Sequence, residues 1–305
     1  MERTKRDVTA VEFVDGAVLA PRVPAAPAIE GRLFVVGCPR SGTTLLQSLL
    51  AAHPAVLSFP ETAVFGRLLS EQAMPGESRL GTVHRRTQVG YRHAVALLQA
   101  LGRRDLEHVL PIRSKTIAQF VDGFVSVLDR LALDKGKSWW VEKTPENIRF
   151  VPEILALVPG ARFVTIVRDG RQNVAALYDM ACRYPERWWV RYRDLDVAIE
   201  MWNRCASDTR RLLGMPEVLL LDHQRLVTDT ETVMQEICRF AGLDFTRQMI
   251  DCRAQAAGYI IASHEPWKAD VLNPIRSAMD DKFDRLFDPA QKAYIEARLE
   301  KIDIA

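Results

Sequence analysis

Three observations predict an α/β fold, a parallel sheet flanked by helices, for this chain of 305 residues. Short apolar runs rich in β-branched and aromatic residues recur at Leu33–Val36, Val56–Phe59, Ser138–Glu142, Arg162–Val167 and Val218–Leu221. Runs of that length and composition read as buried strands. Between them lie stretches with helical spacing, such as Ile117–Leu133, where Phe120, Phe124, Leu128 and Leu131 share one face. Strands that alternate with helices, and are apolar throughout, belong to parallel sheets covered on both faces.

In chain order, residues 1–30 carry a short alternating stretch (Val11 to Leu19) and a Pro/Ala segment (Pro21 to Ile29), predicting an N-terminal arm that leads into the first strand. Residues 31–305 are expected to form one domain. After the first strand comes a tight turn, Gly37 to Gly42, and a helix from Thr43 with Leu45, Leu46, Leu49 and Leu50 at helical spacing. His53-Pro54 ends that helix, because proline disfavours helical geometry in the residue before it. The second strand leads to Glu61-Thr62. Residues 80–135 read as a helical insertion expected to cover the ligand edge of the sheet and shape an acceptor pocket, with a charged segment, Gly102 to Lys115, between its helices. The third strand runs into Lys143-Thr144-Pro145, followed by a helix over Ile148–Val158. The fourth ends in Arg168-Asp169-Gly170 and a helix over Gly170–Met180. A long helix over Tyr192–Leu213 precedes the fifth strand. Thr228–Phe240 is amphipathic and stops at Gly242, a C-terminal cap, and Pro289–Ile302 is the last helix.

Composition narrows the function. With 48% apolar residues the chain buries a sizeable core, and a net charge of +2 points to neither a nucleic acid nor a membrane partner. The five cysteines are scattered, with no C-x-x-C pair and no metal-ligand spacing, as expected of reduced thiols in a cytoplasmic chain. The N-terminal MERTKRDVTAVEF lacks an apolar core and does not read as a secretory signal, and no run is long enough to span a membrane.

The strand–glycine turn–helix at residues 31–50 is a phosphate-holding device, because loop N–H groups and the unpaired N–H groups of a first helical turn converge on one point. Gly37-x-x-x-x-Gly42-Thr43-Thr44 has the P-loop frame, but Thr43 stands where the lysine of G-x-x-x-x-G-K-[ST] belongs. The cation of the loop is instead Arg40. Besides an ordinary βα turn, two alternatives stay open: a P-loop kinase or nucleotide triphosphatase, which the missing lysine disfavours, and a non-catalytic nucleotide-binding protein on the same fold.

Cys38-Pro39-Arg40-Ser41-Gly42-Thr43-Thr44 resembles the 5′-phosphosulfate loop of sulfotransferases that use 3′-phosphoadenosine 5′-phosphosulfate. The closer resemblance is to the branch that includes the tyrosylprotein sulfotransferases. It continues through His53–Thr62, Trp140–Ile148 and Arg162–Arg171, covering about residues 32–180. The resemblance implies a P-loop-like sheet and transfer of a sulfuryl group to a hydroxyl or amine, with no metal. It implies that Pro39, Arg40, Ser41, Gly42, Thr43 and Thr44 hold the phosphosulfate. Lys143 meets the charge that develops there, Arg168 binds the 3′-phosphate, and Glu61 is the general base. Like phosphoryl transfer, such a reaction asks the protein mainly to position groups and stabilise charge. Trp267-Lys268, in a C-terminal loop, is expected to close over the nucleotide. Ala63 replaces an arginine that helps the tyrosylprotein branch bind acidic peptides, which favours a small-molecule, glycan or lipid acceptor. Ala176 replaces a serine frequent at the 3′-phosphate site, leaving Asn173 or a distant basic residue to compensate. Other branches use a histidine base, so His84, His93 and His108 are alternatives to Glu61.

Overall fold

The computed structural model describes residues 28–70, 78–184, 188–261, 265–275 and 281–302. Most of the expected N-terminal arm, residues 1–27, lies outside the described residues. Strand β1 (Gly31–Gly37) is followed by α1 (Thr43–Ala51), β2 (Val56–Ser58), α2 (Val64–Ser70), α3 (Arg79–Ala100) and α4 (Ile117–Leu133). Then come β3 (Trp139–Lys143), α5 (Val151–Leu157), β4 (Ala161–Val167), α6 (Gly170–Arg183), α7 (Leu195–Arg211) and β5 (Val218–Asp222). The C-terminal part is helical: α8 (His223–Thr228), α9 (Thr230–Ala241), α10 (Gln248–Asp251), α11 (Arg253–Ile260), α12 (Lys282–Leu286) and α13 (Pro289–Glu296).

All strand pairs are parallel, in the order β2-β3-β1-β4-β5. From β1 the chain goes out to β2, returns to β3, then crosses to β4 on the other side of β1. The order therefore reverses around β1, and the crevice beyond the C-terminal ends of such strands is where open α/β sheets bind ligands. Val35 pairs with Lys143 on one side and Val164 on the other, so the ends of β1, β3 and β4 meet at this crevice.

Alternation along β1 divides the core. Phe34 faces one layer, where it stacks on Phe163 at 4.9 Å between ring centroids and meets Phe65 and Trp140 edge-on. Phe120, Phe124, Val127 and Leu128 of α4 are fully buried in that layer. Asp129 of α4 accepts from Arg32 Nη2 at 2.6 Å and from Trp140 Nε1 at 2.7 Å, tying the helix to β1 and β3. The core side chains of the 80–135 segment thus cover one sheet face. On the other face Leu33, Val35, Val141 and Ile166 pack against Leu46, Leu49 and Leu50 of α1 and Val233, Met234 and Ile237 of α9.

Several boundaries differ from the sequence reading. Tyr192–Leu213 is a 3₁₀ turn, Trp188–Arg193, followed by α7. Ile148–Val158 divides into a 3₁₀ turn, Pro145–Phe150, and α5, because Pro152 fits only a helix's first turn. Thr228–Phe240 splits at Asp229 into the last residue of α8 and α9, which runs one residue further, to Ala241, and does end on a left-handed Gly242 (φ 79°). The last helix stops at Glu296. Lys143 is the final residue of β3 rather than a loop residue after it, and Trp267-Lys268 lies in a 3₁₀ turn, Pro266–Leu272.

Candidate active site

The loop between β1 and α1 is built to leave donors free. Gly42 caps α1 in a left-handed conformation (φ 95°), and with no side chain it satisfies none of the N–H groups of the first turn. A Cβ there would come within 2.5 Å of His223 Cδ2, so both the backbone and the neighbouring ring require glycine. Arg40 also has a positive φ, 71°. For a residue with a Cβ this costs on the order of 1–2 kcal/mol. The conformation is held by Arg168 Nη1, which donates to Arg40 O at 2.8 Å, and by Ser41 N to Cys38 O at 3.1 Å.

Asn173 of α6 splints the same loop. Its Nδ2 donates to Pro39 O at 3.1 Å and to Ser41 Oγ at 3.0 Å, while Cys38 Sγ donates to its Oδ1 at 3.3 Å. Asn173 is buried and committed to the loop, so it does not stand in for the serine missing at Ala176. Cys38 is buried too, and burial pushes its thiol well up, consistent with packing and not with a nucleophile.

The Arg40 guanidinium donates from Nη1 to Trp267 O at 3.1 Å, while its Nε is buried without a partner. Burial, and then the nearby Arg168, push its proton affinity down. Two neighbouring arginines and an orphaned donor are an arrangement that an anion would relieve.

Across the crevice four charged side chains alternate in sign. Glu61, just past β2, is gripped by Lys143 from β3 and by Lys268 Nζ at 2.8 Å from the Pro266–Leu272 turn. Lys268 also pairs with Glu265, and Lys143 Nζ reaches Thr44 Oγ1 at 3.5 Å, joining the cluster to the first turn of α1. Lys143 and Lys268 are buried, at 1% and 8% side-chain exposure, whereas Glu61 keeps 32% of its side chain in solvent. Burial alone would raise the Glu61 carboxyl, but Lys143 and Lys268 more than reverse this and hold it at about 2. Burial lowers Lys143 against the pull of Glu61, while for Lys268 the attraction of Glu61 and Glu265 outweighs burial.

Beyond the ends of β4 and β5 lies a cavity of about 950 Å³ lined by Arg168, Gly170, Arg171, Trp202, Arg225 and the segment after α13. The structure thus brings Arg40, Ser41, Gly42, Thr43, Thr44 and Arg168 together at one sheet edge, and Glu61, Lys143 and Lys268 into one cluster. Pro39 sits in the loop backbone. His84 and His93 ride on α3, and His108 lies in the 3₁₀ turn Arg104–Val109 with Nδ1 against Asp105 O. Among the described residues no group of His, Cys, Asp and Glu is arranged to hold a metal, and no helix is long and apolar enough to cross a membrane.

A family model described as "Sulfotransferase family" matches residues 32–247, which hold the loop, Glu61, Lys143 and Arg168. The chain belongs to this sulfotransferase family. Among curated relatives it is 24% identical over 250 residues to protein-tyrosine sulfotransferase 1 of Danio rerio, a match spanning 80% of this chain and 62% of that one. It is 24% identical to protein-tyrosine sulfotransferase 2 of Gallus gallus, spanning 88% and 68% of the two chains. The sulfotransferase domain from the curacin biosynthetic pathway superposes with a TM-score of 0.55 at 21% identity, covering 88% of this chain and 97% of that one. A mouse sulfotransferase solved with PAP gives a TM-score of 0.50 at 13% identity, over 94% and 92% of the chains. The architecture of this family member is accordingly the P-loop-like sheet that the sequence led us to expect.

Three contributors escaped the sequence reading: Glu265, His223 and the buried Glu142. Glu142 had a legible signal, an acid that directly follows the apolar run Trp139–Val141 within the strand WWVEK.

Proposed function

We propose that this sulfotransferase moves a sulfuryl group from 3′-phosphoadenosine 5′-phosphosulfate to a hydroxyl or amine of a small-molecule, glycan or lipid acceptor, with Glu61 as general base. The observation that carries this reading is the convergence of Lys143 and Lys268 on Glu61 beside Thr44 at the start of α1. A cation, a carboxylate and a helix N-terminus then share one small volume.

The residues present fit the donor. The unpartnered Arg40 Nε and the uncapped first turn of α1 await an anion, and the cavity beside Arg168 offers room for a nucleoside bearing a 3′-phosphate. When bound, the donor supplies the sulfuryl group and a phosphate leaving group. Arg40 offers a planar fork of donors to that phosphate. The Ser41–Thr44 backbone and hydroxyls hold its oxygens. Lys143, nearly excluded from water, places a positive charge where negative charge develops, and in a dry site that interaction is stronger than in solution. Arg168 orients the 3′-phosphate, and Lys268 closes the crevice from the Pro266–Leu272 turn.

Glu61 at about 2 is a poor base while both lysines hold it. An anion in the loop draws on the same two lysines. Their hold on Glu61 weakens, its proton affinity rises, and it can take the proton of an acceptor hydroxyl. The base is thus activated by occupation of the donor site. On the acceptor side, Ala63 offers no charge to an acidic peptide, and the segment 80–135 shapes the pocket wall.

The test is incubation of the protein with the donor and a panel of phenol, sugar and lipid hydroxyls, with sulfated product read by mass spectrometry. Arg40→Ala and Glu61→Gln should each abolish turnover, and Arg40→Ala should also weaken binding of adenosine 3′,5′-bisphosphate. Near-normal turnover in both variants would remove these assignments, and magnesium-dependent ATP hydrolysis would favour a nucleotide triphosphatase.

A further inference from the structure

Glu142 has no solvent exposure, yet it carries a carboxylate. Removing a charge from water costs several kcal/mol unless the site returns it through hydrogen bonds. Here the return is specific. Oε1 accepts from Thr62 Oγ1 at 2.8 Å, from Thr62 N at 3.3 Å and from Thr144 Oγ1 at 2.5 Å, and Oε2 accepts from Asn147 Nδ2 at 3.0 Å. The same two hydroxyls accept in turn: Ala63 N donates to Thr144 Oγ1 at 3.3 Å and Val64 N to Thr62 Oγ1 at 3.4 Å. Three consecutive backbone N–H groups, of residues 62, 63 and 64, therefore end on one carboxylate, directly or through a single hydroxyl. Between them Ala63 sits at φ 53°, a conformation a residue with a Cβ adopts only when its surroundings impose it.

The covalent neighbours of this network are the candidate catalytic groups. Glu61 precedes Thr62, and Lys143 follows Glu142. Successive side chains of a strand point to opposite faces, so Glu142 holds the loop from one side of β3 and Lys143 meets Glu61 on the other. The contacts form two rungs, Thr62–Glu142 and Glu61–Lys143, between the same pair of segments.

We propose that Glu142 is a positioning residue: through Thr62 and Thr144 it fixes the 61–64 loop so that Glu61 is held between Lys143 and Lys268. Packing alone gives no reason for a carboxyl at this point, since burial disfavours its charged form and an apolar side chain would be the cheaper filler. The inference rests on the donor site proposed above.

The test uses calorimetry of adenosine 3′,5′-bisphosphate binding to the full chain at neutral pH. If Glu61 competes with an anion for the two lysines, Glu61→Gln tightens binding by about five- to tenfold, the scale usual for coupling between two sites. Thr62→Val, which keeps the shape of the side chain and removes the hydroxyl, should release the loop and tighten binding in the same direction. Thr62→Ser, which restores the hydroxyl, should bind like the wild type. Glu142→Leu, which removes the acceptor itself, should act like Thr62→Val, whereas Glu142→Gln, whose Oε1 still accepts from Thr62 and Thr144, should bind like the wild type. Glu142→Gln is expected to fold, because the buried Oδ1 of Asn147 has no partner and a turn of that amide would face it to the new Nε2. The double variant Glu61→Gln/Thr62→Val should bind no more tightly than Glu61→Gln alone. General damage to the fold weakens binding, so tightening is a signature a merely structural role would not produce. If Glu61→Gln tightens binding while Thr62→Val and Glu142→Leu leave it unchanged or weaken it, the positioning role is overturned and the donor site stands. If the wild type itself fails to bind the bisphosphate, the donor site is wrong and this inference falls with it.

Discussion

Glu61→Gln removes one negative charge from between two buried ammonium groups while keeping the shape of the side chain. The consequence for stability can be worked from the site. The carboxyl moves from an ordinary value of 4.5 to about 2 in the folded chain. At about 1.4 kcal/mol per pKa unit, that is an upper bound of about 3 kcal/mol at neutral pH. Since 32% of the side chain meets solvent, screening reduces the expected loss to about 1–2 kcal/mol. The folded value is depressed, so the contribution is fully present above 4.5 and fades as pH falls toward 2. More than half should be gone by about pH 3. Urea denaturation of both proteins at several pH values from 7 to 3 measures this, because their difference isolates Glu61 from the other carboxylates. A difference that is absent at pH 7, or that stays constant down to pH 3, refutes the claim that Lys143 and Lys268 hold an ionised Glu61.

Further outcomes follow from the loop and the core. Asn173→Ala removes the donors to Pro39 O and Ser41 Oγ, and at about 1 kcal/mol per bond should cost roughly 2 kcal/mol in chemical denaturation while weakening bisphosphate binding. Gly42→Ala places a Cβ at φ 95° and 2.5 Å from His223 Cδ2; it should lower the melting temperature, and His223→Ala in the same chain should restore the steric part but not the backbone part. Phe124→Ala empties a fully buried position under Phe65 and should cost about 3–5 kcal/mol in denaturation, with bisphosphate affinity of the folded protein unchanged.

The phosphate loop could be read from the sequence because everything that makes it is local. A β-branched strand, glycines at 37 and 42 and the leucine spacing from Thr43 fix a strand, a tight turn and a helix start within twenty residues. The same holds for α4, whose four apolar positions at helical spacing mark its limits, and for the Gly242 stop of α9. The sequence reading faltered where local preference is weak. α2 is a single seven-residue helix, and the Pro266–Leu272 turn has a loop-like composition; both are ordered by what they pack against.

By itself, then, the sequence determined the alternation of strands and helices, the anion-holding turn and the residue types able to serve it. Tertiary structure alone decided which of those residues meet. Lys143 and Glu61 are 82 positions apart, and Lys268 and Glu61 are 207 apart. No spacing rule reaches so far, because the strand order around β1 and the packing of the C-terminal helices bring them into contact. The Thr62–Glu142 rung beneath that contact has the same origin: a carboxylate in the middle of a strand acquires its meaning only when a distant loop is laid across it.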